Sequence, residues 1–164
     1  MKWHAVPMRA IIQRARDARV SVAGEVVGSF EGPGIVLLVG VTHDDDAAKA
    51  ATIADKVYGL RIFEHHHARD LACLPPSSPK EVSAKDLGLP VLVISQFTLY
   101  AETKKGRRPT WDRAAPGPLA EPLVDAVAEA MRGMGAKVFT GRFGADMQVS
   151  FTNDGPMTVI VEVE

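Results

Sequence analysis

The chain has 164 residues and a mass of 17.6 kDa, with 46% hydrophobic residues, 24% charged residues and a formal net charge of −1. That length suits one domain with a self-sufficient core, the apolar fraction excludes a disordered chain, and a single cysteine, Cys73, excludes a disulfide scaffold. Near-zero net charge excludes a generally basic nucleic-acid binder, so any such contact must come from local patches.

Residues 1–7 read as an N-terminal extension without the apolar core of a signal peptide. No run approaches the ~18 apolar residues of a membrane span, so a reducing, cytoplasmic setting without membrane contact is expected. Alternation begins near Arg9, where Ile11, Gln13 and Ala15 against Ala10, Ile12 and Arg14 predict a first strand. Val20, Val22 and Gly24 alternate with Arg19, Ser21 and Ala23, and Glu25-Val26-Val27 extends that run. Glu31-Gly32-Pro33-Gly34 has the composition of a turn. Ile35 to Val41 is apolar throughout and suits a central strand buried on both faces.

Asp44-Asp45-Asp46 supplies capping carboxylates for a helix whose apolar stripe is Ala47, Ala50, Ala51, Ala54, Val57 and Tyr58, with Gly59 as the stop. Arg61-Ile62-Phe63 resumes extended structure. Residues 64–89, with Pro75-Pro76-Ser77-Ser78-Pro79 in the middle, read as an exposed loop. Val91 to Ile94 predicts another buried strand. A second helix is expected over 118–134, with Leu119, Leu123, Val127, Ala130, Met131 and Met134 as its stripe and either Pro118 or Pro122 as its first residue. Strands return at Val138-Phe139-Thr140 and from Met147 to Thr152. Asn153-Asp154-Gly155-Pro156 then reads as a sharp turn before a last strand through Val159, Val161 and Val163. Strands outnumber helices without regular βαβ alternation. The expected fold is therefore a single α+β domain over residues 8–164, with a mostly antiparallel or mixed sheet and two main helices.

Hydrolytic signatures such as Gly-x-Ser-x-Gly, a phosphate-binding glycine loop and His-Glu-x-x-His are absent from the sequence. His65-His66-His67 is the one histidine cluster, and neighbours on an extended segment point to opposite sides, so no metal site and no cofactor are expected. That cluster reads as a solvated loop, and Cys73 as an ordinary small residue. Ser95-Gln96-Phe97-Thr98 lies where a buried strand runs into polar residues; these side chains equally suit a strand end, since no base accompanies either hydroxyl in sequence. Lys104-Lys105-Gly106-Arg107-Arg108 places four cations in five residues, with Trp111 just beyond, so a phosphate-bearing substrate and a plain solvated face both remain open. Arg14, Arg16 and Arg19 extend the basic surface. Proline in Gly155-Pro156 offers a rigid carbonyl and no N–H, which suits a steric gate as well as a simple turn.

Six stretches in order resemble the D-aminoacyl-tRNA deacylase family of the D-tyrosyl type. They are Met8 to Arg14, Gly59 to Phe63, Ser95 to Tyr100, Lys105 to Pro109, Thr140 to Met147 and Asn153 to Thr158. The resemblance spans about residues 8–164 and departs in the 64–89 segment, around Ser29-Phe30-Glu31 and in the extension. It implies a deacylase-type fold, barrel-like in a homodimer whose active sites lie at the subunit interface. Ser95, Gln96, Phe97 and Thr98 would line one wall and carry the catalysis. Gly155 and Pro156 would form a cis dipeptide reaching in from the other subunit as a chirality gate, with Met157 and Thr158 beside it and Arg14 holding it. Lys104, Lys105, Arg107 and Arg108 would contact tRNA, and Phe143 and Met147 would lie near the pocket for the terminal adenosine.

The expected reaction is hydrolysis of the ester joining a D-amino acid, or glycine, to the 3′ end of tRNA. Positioned water and backbone N–H groups around Phe97 and Thr98 would stabilise the oxyanion. A covalent route through Thr98 is the rival chemistry. A nucleic-acid-binding module without catalysis and a hydrolase of free D-amino-acid esters are the rival functions.

Overall fold

The computed structural model describes residues 5–68 and 80–164. Cys73 and the proline cluster lie outside those residues. Seven strands and three helices follow in chain order: β1 (Met8–Val22), β2 (Glu25–Gly40), α1 (Ala47–Gly59), β3 (Phe63–Glu64), β4 (Glu81–Val82), α2 (Ala84–Leu87), β5 (Val91–Ser95), α3 (Gly117–Gly133), β6 (Val138–Thr140) and β7 (Gln148–Val163). Two 3-10 turns, His65–Ala68 and Phe97–Tyr100, follow β3 and β5. The main sheet is mixed, in the order β6-β5-β2-β1-β7, and β3 pairs with β4 separately. β1 is antiparallel to both β2 and β7, whereas β2–β5 and β5–β6 are parallel. Parallel neighbours require crossover connections, and the helices supply them.

The expected central strand over Ile35–Val41 is the inner part of β2, and Val91–Ile94 lies in β5. Both helices also form where the periodicity predicts. Asp46 caps α1, its carboxylate accepting from Lys49 N–H at 2.9 Å. Their stripes are rotated from the expected ones: α1 buries Ile53 and leaves Ala47 and Ala51 exposed, and α3 buries Ala120, Val124 and Ala128 while Leu119, Ala130 and Met134 are half-buried. α3 begins at Gly117 with Pro118 in its first turn, and Pro122 lies inside it on the exposed side.

Four local expectations are corrected. The run through Glu25-Val26-Val27 is broken by a two-residue hairpin loop, with Ala23 at φ 49° and Gly24 at φ 83°; its left-handed conformation suits strand twist, but Ala23 hides it from a composition reading. Glu31-Gly32-Pro33-Gly34 is not a turn but part of β2. There the ladder shifts register between Arg16 and Ala18, and Asp17 at φ 55° accepts from Gly32 N–H at 2.7 Å. A bulge accommodates proline and glycine that a regular central strand would not. Asn153-Asp154-Gly155-Pro156 likewise does not reverse the chain: β7 continues through it, bulging out between the pairs Asn153–Ala15 and Thr158–Gln13. Finally, the 64–89 segment is not simply an exposed loop. Its described parts hold the first 3-10 turn, the β3–β4 pair and α2, whose Ser83 and Asp86 form a reciprocal capping box.

Buried side chains fall into two clusters, one on each face of the sheet. The larger contains α1, α2 and α3 with Ile12, Ile35, Leu37, Val91 and Val93. The smaller, around Ala15, Val20, Phe30, Val36, Leu92 and Ile94, is built from strands and includes no helical residue. Helices therefore cover one face only.

Candidate functional site

Where β5 ends, its last residue Ser95 is half-buried and pairs with Val39 of β2. Gln96 N–H donates to Val39 O at 2.8 Å, and the chain then tightens into the 3-10 turn. The turn's own bonds start with Leu99 N–H to Gln96 O, leaving Phe97 and Thr98 N–H outside that pattern. Three anchors fix the turn against β1 and β2. Arg9 Nη1 donates to Leu99 O at 2.7 Å, its guanidinium lies 5.4 Å from the Tyr100 ring centre, and Tyr100 Oη donates to Pro7 O at 2.7 Å. Burial pushes the Tyr100 phenol far above its ordinary range, so it is a neutral donor. Gly40 is required beneath it: a Cβ there would meet Tyr100 Cε2 at 2.8 Å and Leu99 Cβ at 3.1 Å.

Beside this turn lies a cavity of about 260 Å³ between the ends of β2 and β5 and the face of α3. Ser95, Gln96, Phe97 and Phe143 line it together with Gly117 and Gly144. Thr98 is half-buried next to it, and its Oγ1 accepts from the Gln96 side-chain amide. No hydrogen bond or ion pair among the described residues brings a histidine or carboxylate to that hydroxyl. Phe97, 57% exposed, meets Trp111, 41% exposed, edge-to-face at 5.3 Å, giving the mouth an aromatic rim. Met147 does not line the cavity; it packs over Gly141 and belongs with the strand-only cluster.

Lys104, Lys105, Arg107 and Arg108 are exposed on a short loop closed by the Glu102–Thr110 bridge. None of the four side chains forms an ion pair among the described residues. Net charge near zero thus conceals a concentrated positive tip two residues from the aromatic rim. Among the described residues, no group of three or more His, Cys, Asp or Glu is placed to hold a metal ion, and no helix is long and apolar enough to cross a membrane.

The bulge in β7 is the second constellation. Its Gly155–Pro156 peptide is cis, and Gly155 has φ +142°; a Cβ there would meet Arg14 Nη2 at 2.9 Å and Met157 N at 3.0 Å. Arg14 turns inward to it and is not part of a basic surface: Nε donates to Asp154 O and Nη1 to Ile62 O, each at 2.7 Å. Asn153 shapes the bulge from within, accepting from Met157 N–H at 2.7 Å and donating to Gln13 Oε1 at 2.7 Å and Thr158 Oγ1 at 3.0 Å. Gln13, Asn153 and Arg9 lie within the stretches that carry the resemblance, but no role is assigned to them there; a polar side chain inside an otherwise apolar alternating strand is the further signal.

One chain does not bring these constellations together. Ser95 pairs with Val39, Val39 with Ala10 and Ala10 with Val161, so β7 lies three strands from β5. At ~4.8 Å per strand and ~3.3 Å per residue, the Gly155–Pro156 corner is roughly 20 Å from the 3-10 turn.

A family model described as D-Tyr-tRNA(Tyr) deacylase matches residues 11–162. The D-aminoacyl-tRNA deacylase of Kineococcus radiotolerans is 55% identical over 155 residues, covering 94% of this chain and 99% of that protein. That of Streptomyces coelicolor is 54% identical over 156 residues, covering 95% and 100%. Among solved structures, one described as c-Myc DNA Unwinding Element Binding Protein superposes with a TM-score of 0.81 at 31% identity, over 96% of this chain and 99% of that one. A probable eukaryotic D-amino acid tRNA deacylase does so with a TM-score of 0.78 at 15% identity, over 96% and 100%, a likeness of fold.

Proposed function

The chain belongs to the D-aminoacyl-tRNA deacylase family and is a hydrolase that deacylates D-aminoacyl-tRNA in proofreading; from that premise we propose how it tells the hand of its substrate. The ester at the 3′ end of tRNA enters the cavity beside Ser95, Gln96 and Phe97, and water attacks its carbonyl. Phe97 and Thr98 N–H groups receive the developing oxyanion, and free D-amino acid and tRNA leave. Aminoacyl esters are reactive already, so positioning and oxyanion stabilisation suffice without a side-chain nucleophile. Phe143 lies near the terminal adenosine and Met147 behind it, while Lys104, Lys105, Arg107 and Arg108 follow the phosphates. A cytoplasmic setting goes with such a substrate.

The gate comes from a second copy. Gly155 and Pro156 carbonyls accept from the α-ammonium and leave no room for an L side chain, with Arg14, Met157 and Thr158 keeping the corner in shape. Exclusion by bulk separates enantiomers more sharply than added attraction does, and it lets glycine through. A D side chain points outward, so D-tyrosine is one substrate among several. The observation that carries this reading is the separation within one chain: the corner and the 3-10 turn serve one substrate only if another protomer supplies one of them. The helix-free face supports the same conclusion. Ile94, Leu38, Ile11 and Ile160 form a cross-strand apolar row on it, and Ile160 is 63% exposed.

D-tyrosyl-, L-tyrosyl- and glycyl-tRNA compared at one salt concentration test the proposal. D-tyrosyl and glycyl esters should be cleared and the L-tyrosyl ester left intact; comparable hydrolysis of the L ester sinks the gate. Thr98→Ala should reduce single-turnover deacylation by less than about tenfold, because the hydroxyl has no base; near-complete loss with tRNA binding retained would establish the covalent route.

A further inference from the structure

The Asp154–Met157 bulge has left the sheet ladder, so side chains have to hold it in place. Arg14 holds the Asp154 carbonyl and ties it to Ile62 O. The Asp154 carboxylate faces a different group, the His67 imidazole, with Nε2 lying 3.5 Å from Oδ2. His67 belongs to the histidine cluster that residue type alone makes a solvated loop, yet its side chain is only 3% exposed. It is seated edge-to-face on Phe63 at 5.6 Å and stacked on His66 at 3.9 Å.

We propose that His67 is a positioning residue of the chirality gate, holding Asp154, and through it the Gly155–Pro156 corner, against the β3 segment. This inference rests on the gate reading above. Two Glu64 backbone atoms meet His67 Nδ1, the N–H at 2.8 Å and the carbonyl at 3.2 Å; the shorter contact makes Nδ1 the acceptor in the neutral ring, whose proton then sits on Nε2, towards the carboxylate. The two straps are complementary. Arg14 grips the backbone of Asp154 from β1, and His67 grips its side chain from the turn after β3. Both are anchored around residues 62–64, which fixes the corner relative to a second element and not only to its own strand.

Burial first, then the neighbouring His66 and Arg14, keep His67 below the ordinary histidine range, with the Glu64 backbone and Asp154 pulling the other way. The charged groups around it are Arg14 on β1, Asp154 on β7 and Glu64 and His66 on its own segment, while Arg16, Glu31 and Lys137 line the same open groove. Protonation places a second hydrogen on Nδ1, which must then exchange the Glu64 N–H for the Glu64 carbonyl, 3.2 Å away, and the ring shifts in its seat.

The ratio of D-tyrosyl- to L-tyrosyl-tRNA hydrolysis, read for purified full-length variants between pH 5 and 8, tests the proposal. His67→Ala should lower the ratio about threefold, the lower end of what a polar contact contributes, since Nε2 and Oδ2 stand 3.5 Å apart. His67→Gln, which keeps a donor at the Nε2 position but does not titrate, should restore most of the ratio and abolish the decline expected of wild type as pH falls through the depressed His67 value. Asp154→Ala should cost about as much as His67→Ala, and the double variant little more. An unchanged ratio in His67→Ala, a wild-type pH decline persisting in His67→Gln, or fully additive losses would each overturn the assignment. Pro156→Ala distinguishes the two levels. If it abolishes discrimination while His67→Ala does not, the gate stands and His67 has no part in it; if discrimination survives Pro156→Ala, the gate reading falls and the inference with it.

Discussion

Gly40 carries a large consequence for one hydrogen atom. Any side chain there would push Tyr100 and Leu99 outward and tilt the 3-10 turn beside the cavity. Gly40→Ala should cost about 1–3 kcal/mol in denaturant unfolding, as overpacking does, and lower kcat/KM for D-tyrosyl-tRNA at least tenfold, about the effect of a sub-ångström misplacement. His67 sets a second expectation at this scale. A histidine whose folded pKa lies below its unfolded value favours the folded state when neutral, so its contribution is complete above about pH 6.5 and is lost as pH falls through the depressed value. Wild type should therefore lose stability on mild acidification, and His67→Gln should lose less, as unfolding midpoints across that range will show.

Among the elements, the helices behave as their caps and periodicity lead one to expect, and the strands do not. Asp46→Ala removes the α1 cap, which does not line the cavity, and should cost about 1 kcal/mol, a fall of about 2–4 °C in Tm, with deacylation unchanged. A larger fall or lost activity would mean that α1 does more than cover the sheet. Helix signals lie within one turn of chain and survive in isolation. The strand bulges at Asp17 and at 154–157 are created by the register of a partner strand more than a dozen residues away, or at the far end of the chain. Glycine and proline there looked like chain reversals because composition marks a departure from regular geometry without saying which departure.

At the scale of the molecule, β7 is a 16-residue edge strand, unpaired on one side among the described residues, beside a sheet face that no described helix covers. Edges of that length are normally blunted or paired. In the proposed dimer, Ile160→Lys should yield monomers in analytical ultracentrifugation, and deacylation should disappear with the pairing, since Ile160 lies three strands from the strand that carries the 3-10 turn. A monomer with full activity and full enantioselectivity would show that one chain suffices.

Much was legible before any coordinates. The α+β class, the buried strands at 35–41 and 91–94, both helices, and the stretches 95–98 and 153–158 follow from hydrophobic period, capping residues and resemblance. Each of those signals is local, or is a short string of residues whose order survives without a fold. Tertiary structure alone supplied the cavity against α3, the inward turn of Arg14, the burial of His67 against Asp154 and the three-strand separation of the two constellations. Those depend on strand register and on which face the helices cover. Residues such as Arg14 and Asp154, or Gly40 and Tyr100, are 140 and 60 positions apart, and no local pattern records such a meeting.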